Sequence, residues 1–327
     1  MALGIGVIIW HSGRDAPEEV GMGEEIRIGL VGLDTSHVIA FTRILHDTQD
    51  AFHVPGVRVV AGYPGGSPDM ERSFSRVGQY TEELRDRYGV AIVDSIEAVV
   101  EASDAVCLES VDGRVHLEQF RRIAPSGKPT FIDKPFATSA ADAEAIAQLA
   151  RTHRVPLMSC SALRYAQPLA EALADDSAGE IIGIDCAGPM EIEPTQPGLF
   201  WYGIHAVEMA YTALGPGCEH LTGLSSGDHD AVCGVWNDGR IAVIRGNRRG
   251  NTGFTAVVHR ERESRFVNAS AGRKPYYASL VESILDMVRS GRPPFEVEET
   301  VEIVRFIEEA NTMRASGRKS PPRSLSR

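Results

Sequence analysis

Ile28-Gly29-Leu30-Val31-Gly32-Leu33-Asp34-Thr35-Ser36-His37 decides the fold of this 327-residue chain. An apolar strand runs into a glycine turn and then into the start of a helix. That is the setting of the phosphate-binding fingerprint G-x-G-x-x-G. There the first glycine makes the turn, the second lets the backbone approach a pyrophosphate, and the third lets helix and strand pack closely. Gly32 fits the first position, whereas Asp34 and His37 stand at the other two. A carboxylate at the second position brings a Cβ and a negative charge to the place of two phosphates. Asp34 and Ser36 are therefore read as caps for a helix starting near His37, because such side chains accept hydrogen bonds from free N–H groups. Capping and phosphate binding would compete for the same donors.

Outward from this stretch, apolar runs alternate with helical patterns. Strands are expected at Ile26 to Val31, Val57 to Ala61, Ala105 to Leu108, Thr130 to Ile132 and Pro156 to Met158, with helical segments such as Ala140 to Thr152 between them. The alternation is that of an α/β domain with a doubly wound parallel sheet, its ligand crevice at the carboxyl ends of the strands. The pattern changes after Ala162. A helix over Leu163 to Ala174 precedes a strand at Ile181 to Cys186, and Phe200 to Leu214 reads helical at least in its second half. Strands follow at Ala231 to Trp236, Ile241 to Arg245 and Phe254 to His259, with Asn237-Asp238-Gly239 as a hairpin turn. This second domain is thus expected to be α/β with a large, open, mostly antiparallel sheet. Helices over Tyr277 to Ser290 and Val297 to Ser316 close the chain, parted by Gly291-Arg292-Pro293-Pro294. The division that follows is an extension at 1–24, a first domain at 25–159, a second at 160–296, and a frayed tail at 317–327.

A formal net charge of -12 argues against a nucleic-acid partner, which selects for a basic footprint. The five cysteines are scattered and show no C-x-x-C spacing, so neither a disulfide framework nor a zinc knuckle is indicated. Leu3 to Trp10 is apolar but too short to span a bilayer and lacks the flanks of a signal peptide. No membrane role is expected, and a cytoplasmic location is.

Two segments carry candidate chemistry. Phe131-Ile132-Asp133-Lys134-Pro135 sets a lysine directly after a buried strand, where desolvation lowers its pKa toward the range useful for moving a proton. Phe200-Trp201-Tyr202-Gly203-Ile204-His205-Ala206-Val207-Glu208 sets a histidine among aromatics, with Glu208 three residues on and on the same helical face.

The first strand, Asp133-Lys134-Pro135, Arg164-Tyr165-Ala166-Gln167-Pro168 and the Gly203-Ile204-His205 segment follow in the order seen in the Gfo/Idh/MocA oxidoreductases. Glu101 to His116 also resembles that family's strand and turn, here Ser110-Val111-Asp112-Gly113. The resemblance covers about residues 26 to 318. It implies an N-terminal Rossmann domain and a C-terminal α/β domain whose open sheet walls the site and often forms an oligomer interface. It also implies a last helix that packs back on the first domain. By the same resemblance Lys134 and His205 are the catalytic pair. They assist removal of a sugar, cyclitol or polyol hydroxyl proton while hydride leaves for NAD or NADP. Gly32, Asp34, Ser36, His37, Ser67, Ser110, Asp112 and Lys134 are the expected cofactor positions. Arg164, Tyr165, Trp201, Tyr202 and His205 are the expected substrate positions. A homo-oligomer, dimer or tetramer, is implied as well.

This chain departs from the family pattern at several points. Asp133 replaces the usual glutamate, and Trp201 stands where the family has an aspartate. The stretch Ala61-Gly62-Tyr63-Pro64-Gly65-Gly66-Ser67 lacks the acid that would accept from an NAD ribose. Ser67 with Arg72 or Arg76 would instead suit a 2′-phosphate. Two other readings follow from the departures. One is a non-redox lyase, isomerase or cyclase on the same fold, with Trp201 and Tyr202 as a ring platform; the other is a non-catalytic sugar-binding homologue. Asp34, His37, Glu109, Asp112, His116 and His205 together would suit a divalent ion, but no close-spaced ligand pair supports it, and no metal is assigned.

Overall fold

The computed structural model describes residues 25–316, so the expected extension at 1–24 and tail at 317–327 lie outside the described residues. The first half builds a six-stranded sheet of β1 (Ile26–Val31), β2 (Val57–Tyr63), β3 (Ala91–Ile92), β4 (Ala105–Leu108), β5 (Thr130–Ile132) and β6 (Leu157–Met158). Its order is β3-β2-β1-β4-β5-β6 and every pairing is parallel. The order reverses between β1 and β4, which sets the crevice at their carboxyl ends. β1 is buried on both faces over its last four residues, as a central parallel strand requires. It turns at Gly32, whose φ is +84°. A Cβ there would stand 2.2 Å from Ser110 Oγ and 2.4 Å from Ser110 N, so glycine is needed for the turn and for the close approach of the loop after β4.

Helices α1 (Ser36–His46), α2 (Glu71–Tyr88), α3 (Ile96–Ala102), α4 (His116–Ile123) and α5 (Ala140–His153) cover this sheet. The chain then crosses through α6 (Gln167–Ala174) into a second sheet. That sheet is formed by β7 (Ile181–Pro189), β8 (Cys218–Ser226), β9 (His229–Trp236), β10 (Ile241–Asn247), β11 (Thr255–Arg260) and β12 (Ser264–Asn268), ordered β12-β11-β7-β10-β9-β8. Only the β7–β10 pairing is parallel. The short β3 and the polar β8 and β12 escape sequence reading, because none of them shows a run of alternating apolar residues.

Three helices remain: α7 (Gly203–Leu214), α8 (Tyr276–Ser290) and α9 (Val297–Ser316). α8, which the sequence assigns to the second domain, buries Ala278, Val281, Ile284 and Leu285 in one core with Ile28, Leu30 and Phe41 of the first sheet and α1. α9 lies against α5 of the first domain, pairing Glu298 with Arg151 at 2.8 Å and Arg305 with Glu144. No helix among the described residues is long and apolar enough to cross a membrane.

Candidate active site

The ends of β1, β4 and β5, the start of α1 and the start of α7 converge on one crevice. His37, Lys134, Ser161, Leu163, Tyr202, His205, Phe254, Tyr276 and Tyr277 line a cavity of about 120 Å³ there. Lys134 follows β5 and is buried, and loss of water lowers its pKa, against the opposing pull of Asp133 and Glu109. Its ammonium lies 5.2 Å from the Trp201 ring centroid. His205 sits in the first turn of α7, where loss of water, and then the charge of Lys134, push its pKa well below 6.5. Its Nδ1 is 2.7 Å from Ser161 Oγ, which leaves Nε2 for a ligand, and Tyr202 and Phe254 meet its ring edge-on. The pair is thus a desolvated lysine and a neutral histidine on one cavity, suited to exchanging a proton with a bound hydroxyl. Ser161, Phe254, Tyr276 and Tyr277 were not singled out from the sequence, since hydroxyls and aromatics carry no spacing signal.

Below the cavity, His37 Nδ1 lies 2.9 Å from Asp133 Oδ2 and 3.7 Å from Glu109 Oε2, while Nε2 is 3.1 Å from Tyr277 Oη. Burial disfavours the imidazolium, but Asp133 and Glu109 outweigh it and push the His37 pKa to about 9. Burial raises Glu109 to about 7, whereas the charge of His37 overcomes burial at Asp133 and lowers it.

The cap expected from Asp34 or Ser36 is instead Thr35, whose side chain accepts from His37 N at 3.4 Å; Ser36 is exposed. Asp34 is fully buried and faces away from the helix end. It accepts from Ser73 Oγ at 2.6 Å and from Val111 N at 3.0 Å, tying the first turn of α2 to the loop after β4. Asp112 makes a second tie. It accepts from Ser67 Oγ at 2.6 Å, Gln196 Nε2 at 2.7 Å and Arg114, which also binds Asp69. Ser67 is therefore already engaged, and Arg72 pairs with Glu191 at 2.9 Å. Ser110 is buried with an Oγ that has no partner, and its carbonyl faces His116 Nε2.

Arg164 and Tyr165, expected at the substrate, stand outside the cavity lining. Arg164 binds Glu208 and Glu299 and stacks on Phe295 at 4.1 Å. Tyr165 accepts from Ser283 of α8 at 2.8 Å. Trp201 is buried with Met70 and Val111, roofing Lys134. Of the six residues weighed as a metal set, His37 and Glu109 approach to 3.7 Å and His205 shares the cavity with His37.

Burial alone would raise Asp112, but Arg114, Ser67 and Gln196 hold it down at about 2, against 3.8 when free. A carboxyl depressed in the folded state stabilises above its unfolded pKa and loses that contribution as pH falls through the folded value. Asp112→Asn is thus expected to cost on the order of 2 kcal/mol at pH 7. It should also flatten the loss of stability between about pH 4 and pH 2. Urea midpoints across that range measure both; parallel curves for the two proteins would contradict it.

Sheet order, crevice and helical return define a two-domain α/β protein with a Rossmann-type first domain. Residues 26–160 match the GFO_IDH_MocA family model, described as an oxidoreductase family with an NAD-binding Rossmann fold. Over that first domain the chain is similar to the Gfo/Idh/MocA oxidoreductases. GenD2 from gentamicin A biosynthesis, solved in complex with NAD, is 20% identical with a TM-score of 0.71, covering 96% of this chain and 98% of its own. A putative myo-inositol dehydrogenase from Sinorhizobium meliloti 1021 is 18% identical with a TM-score of 0.72, covering 90% and 98%. The apo scyllo-inositol dehydrogenase from Lactobacillus casei is 14% identical with a TM-score of 0.74, covering 90% and 97%. At these identities the likeness is one of fold. No curated protein sequence matches the chain.

The family cofactor fits one end of this crevice and not the other. The reacting end offers a cavity with a lysine and a histidine on its wall. At the phosphate end Leu33 N already donates to Pro64 O at 2.8 Å, and the buried Asp34 carboxylate fills the place of the second glycine. The Asp34–Ser73 contact ties the loop after β1 to α2, and the Ser67–Asp112 contact joins the loops after β2 and β4 across the groove.

Proposed function

We propose that the protein is an oxidoreductase that acts on a hydroxyl of a sugar, cyclitol or related polyol, with Lys134 and His205 sharing the hydroxyl proton. The observation that carries this reading is that both side chains line one aromatic-walled cavity. The lysine can hold the substrate oxygen while the neutral imidazole takes its proton at Nε2, with Ser161 fixing the ring through Nδ1. NAD or NADP, when bound, supplies the hydride acceptor. Tyr202 and Phe254 give a ring-shaped substrate an apolar wall. The same reading includes a homo-oligomer formed across the outer face of the second sheet, where Ile182, Leu224, Ile241 and Phe266 are exposed.

The closed phosphate end favours a second reading, a non-redox lyase, isomerase or cyclase using the same lysine and histidine. Calorimetric titration with NAD and NADP separates the two. Asp34→Gly restores the missing glycine and removes a buried negative charge, so it is expected to tighten binding of one nucleotide at least tenfold, about 1.4 kcal/mol. Absence of nucleotide binding by both the wild type and this variant would remove the redox reading and leave the second.

A further inference from the structure

We propose that His37, Glu109 and Asp133 form a binding site for a single divalent transition-metal ion, of the zinc or manganese type, at the floor of the crevice. Four atoms of this group, His37 Nδ1, both Glu109 oxygens and Asp133 Oδ2, are buried without a hydrogen-bond partner. One ligand atom from each residue lies within 4.8 Å of the others. Glu109 is fully buried and Asp133 nearly so. Both Glu109 oxygens and one Asp133 oxygen lack a hydrogen-bond donor, which is costly for buried carboxylates, and an ion among them would remove that cost.

The spacing suits an ion. Zinc bonds of about 2.0–2.2 Å place tetrahedral ligands about 3.3–3.6 Å apart. The 2.9 Å and 3.7 Å separations from Nδ1 to the two carboxylates bracket that range. Nδ1 and Asp133 Oδ2, 2.9 Å apart, are the contact that an ion would come between.

The surroundings are those of a supported ligand set. Tyr277 Oη holds His37 from its other nitrogen at 3.1 Å, and the ring stacks on Phe41 at 5.8 Å. Asp133 is held through its second oxygen, Oδ1, which accepts from Lys134 N at 2.7 Å. Such outer partners fix the orientation of metal ligands. One imidazole with two carboxylates and no thiolate selects zinc or manganese over copper(I) or an iron–sulfur cluster. His37 also lines the cavity with Lys134 and His205, which would give the ion its entry path. An ion there would polarise a substrate oxygen, a role that serves hydride transfer and non-redox chemistry alike. The site therefore stands independently of the choice between them.

The test titrates the chelator-treated full-length protein with Zn²⁺ and with Mn²⁺ in a calorimeter. One ion per chain at micromolar or tighter Kd is expected. Glu109→Gln and Asp133→Asn each keep shape and remove one charged ligand, and should weaken binding at least thirtyfold. Tyr277→Phe should weaken it about tenfold by freeing the histidine ring. His229→Gln, on the second sheet and paired with Asn247, should change nothing. No saturable binding by the wild type, or wild-type affinity in either folded carboxylate variant, overturns the site. Should neither variant fold, the wild type decides. Zn²⁺ in excess over protein must raise its unfolding temperature, as a ligand of the folded state does, and failure to do so overturns the site.

Discussion

Lys134→Met is expected to lower kcat by about a thousandfold, within the range of a lost general acid–base group, while KM moves less than tenfold. Methionine keeps the length and most of the packing under Trp201, so the loss falls on the proton and not on the fold. Turnover is followed on a panel of cyclitols and sugars, by nicotinamide absorbance and in parallel by product analysis without cofactor. His205→Gln should lose a similar factor, and the double variant little more, because two groups that share one proton do not act additively. Full activity in Lys134→Met would take the lysine out of both functional readings.

Arg164→Met is expected to destabilise the protein by about 3–5 kcal/mol without touching the cavity, since it strands two carboxylates in a buried setting. Glu208 is almost wholly buried, and its pKa is raised by burial against the pull of Arg164; Glu299 is the second partner. A fall on the order of 10 °C in unfolding temperature should accompany the change. Adding Glu208→Gln and Glu299→Gln to Arg164→Met should recover most of it, because the cost lies in the unpaired charges and not in the lost bridge. A single variant as stable as wild type would show that Arg164 is not the anchor of α9 and α7 that its contacts describe.

How much was legible depends on range. The strands Ala105–Leu108 and Thr130–Ile132 are short unbroken apolar runs, and α9 is a sustained amphipathic pattern; local periodicity specifies both, and their bounds agree with the structure. β8 and β12 are polar segments held by pairing with β9 and β11, and pairing is not a property of either segment alone. α8 carries an apolar face that suits any core, so its place on the first sheet was decided by what remained uncovered there. Within the crevice, Lys134 and His205 were legible as candidates because each follows a recognisable local pattern. The substrate roles given to Arg164 and Tyr165 rested on resemblance alone, and their packing partners, Glu208, Glu299 and Ser283, lie 44, 135 and 118 residues away.

The stretch from Ile28 to His37 by itself determined that a buried parallel strand turns at Gly32 into a helix, because hydrophobic run, glycine and cap are local quantities. It also showed that a carboxylate and an imidazole stand where two glycines belong. Only the tertiary structure decided what those two side chains do. Asp34 turns inward because Ser73 and Val111 N are there to satisfy it. His37 turns toward Asp133 and Glu109 because parallel strands far apart in sequence end side by side, bringing together charges that no spacing in the chain could have placed within one site.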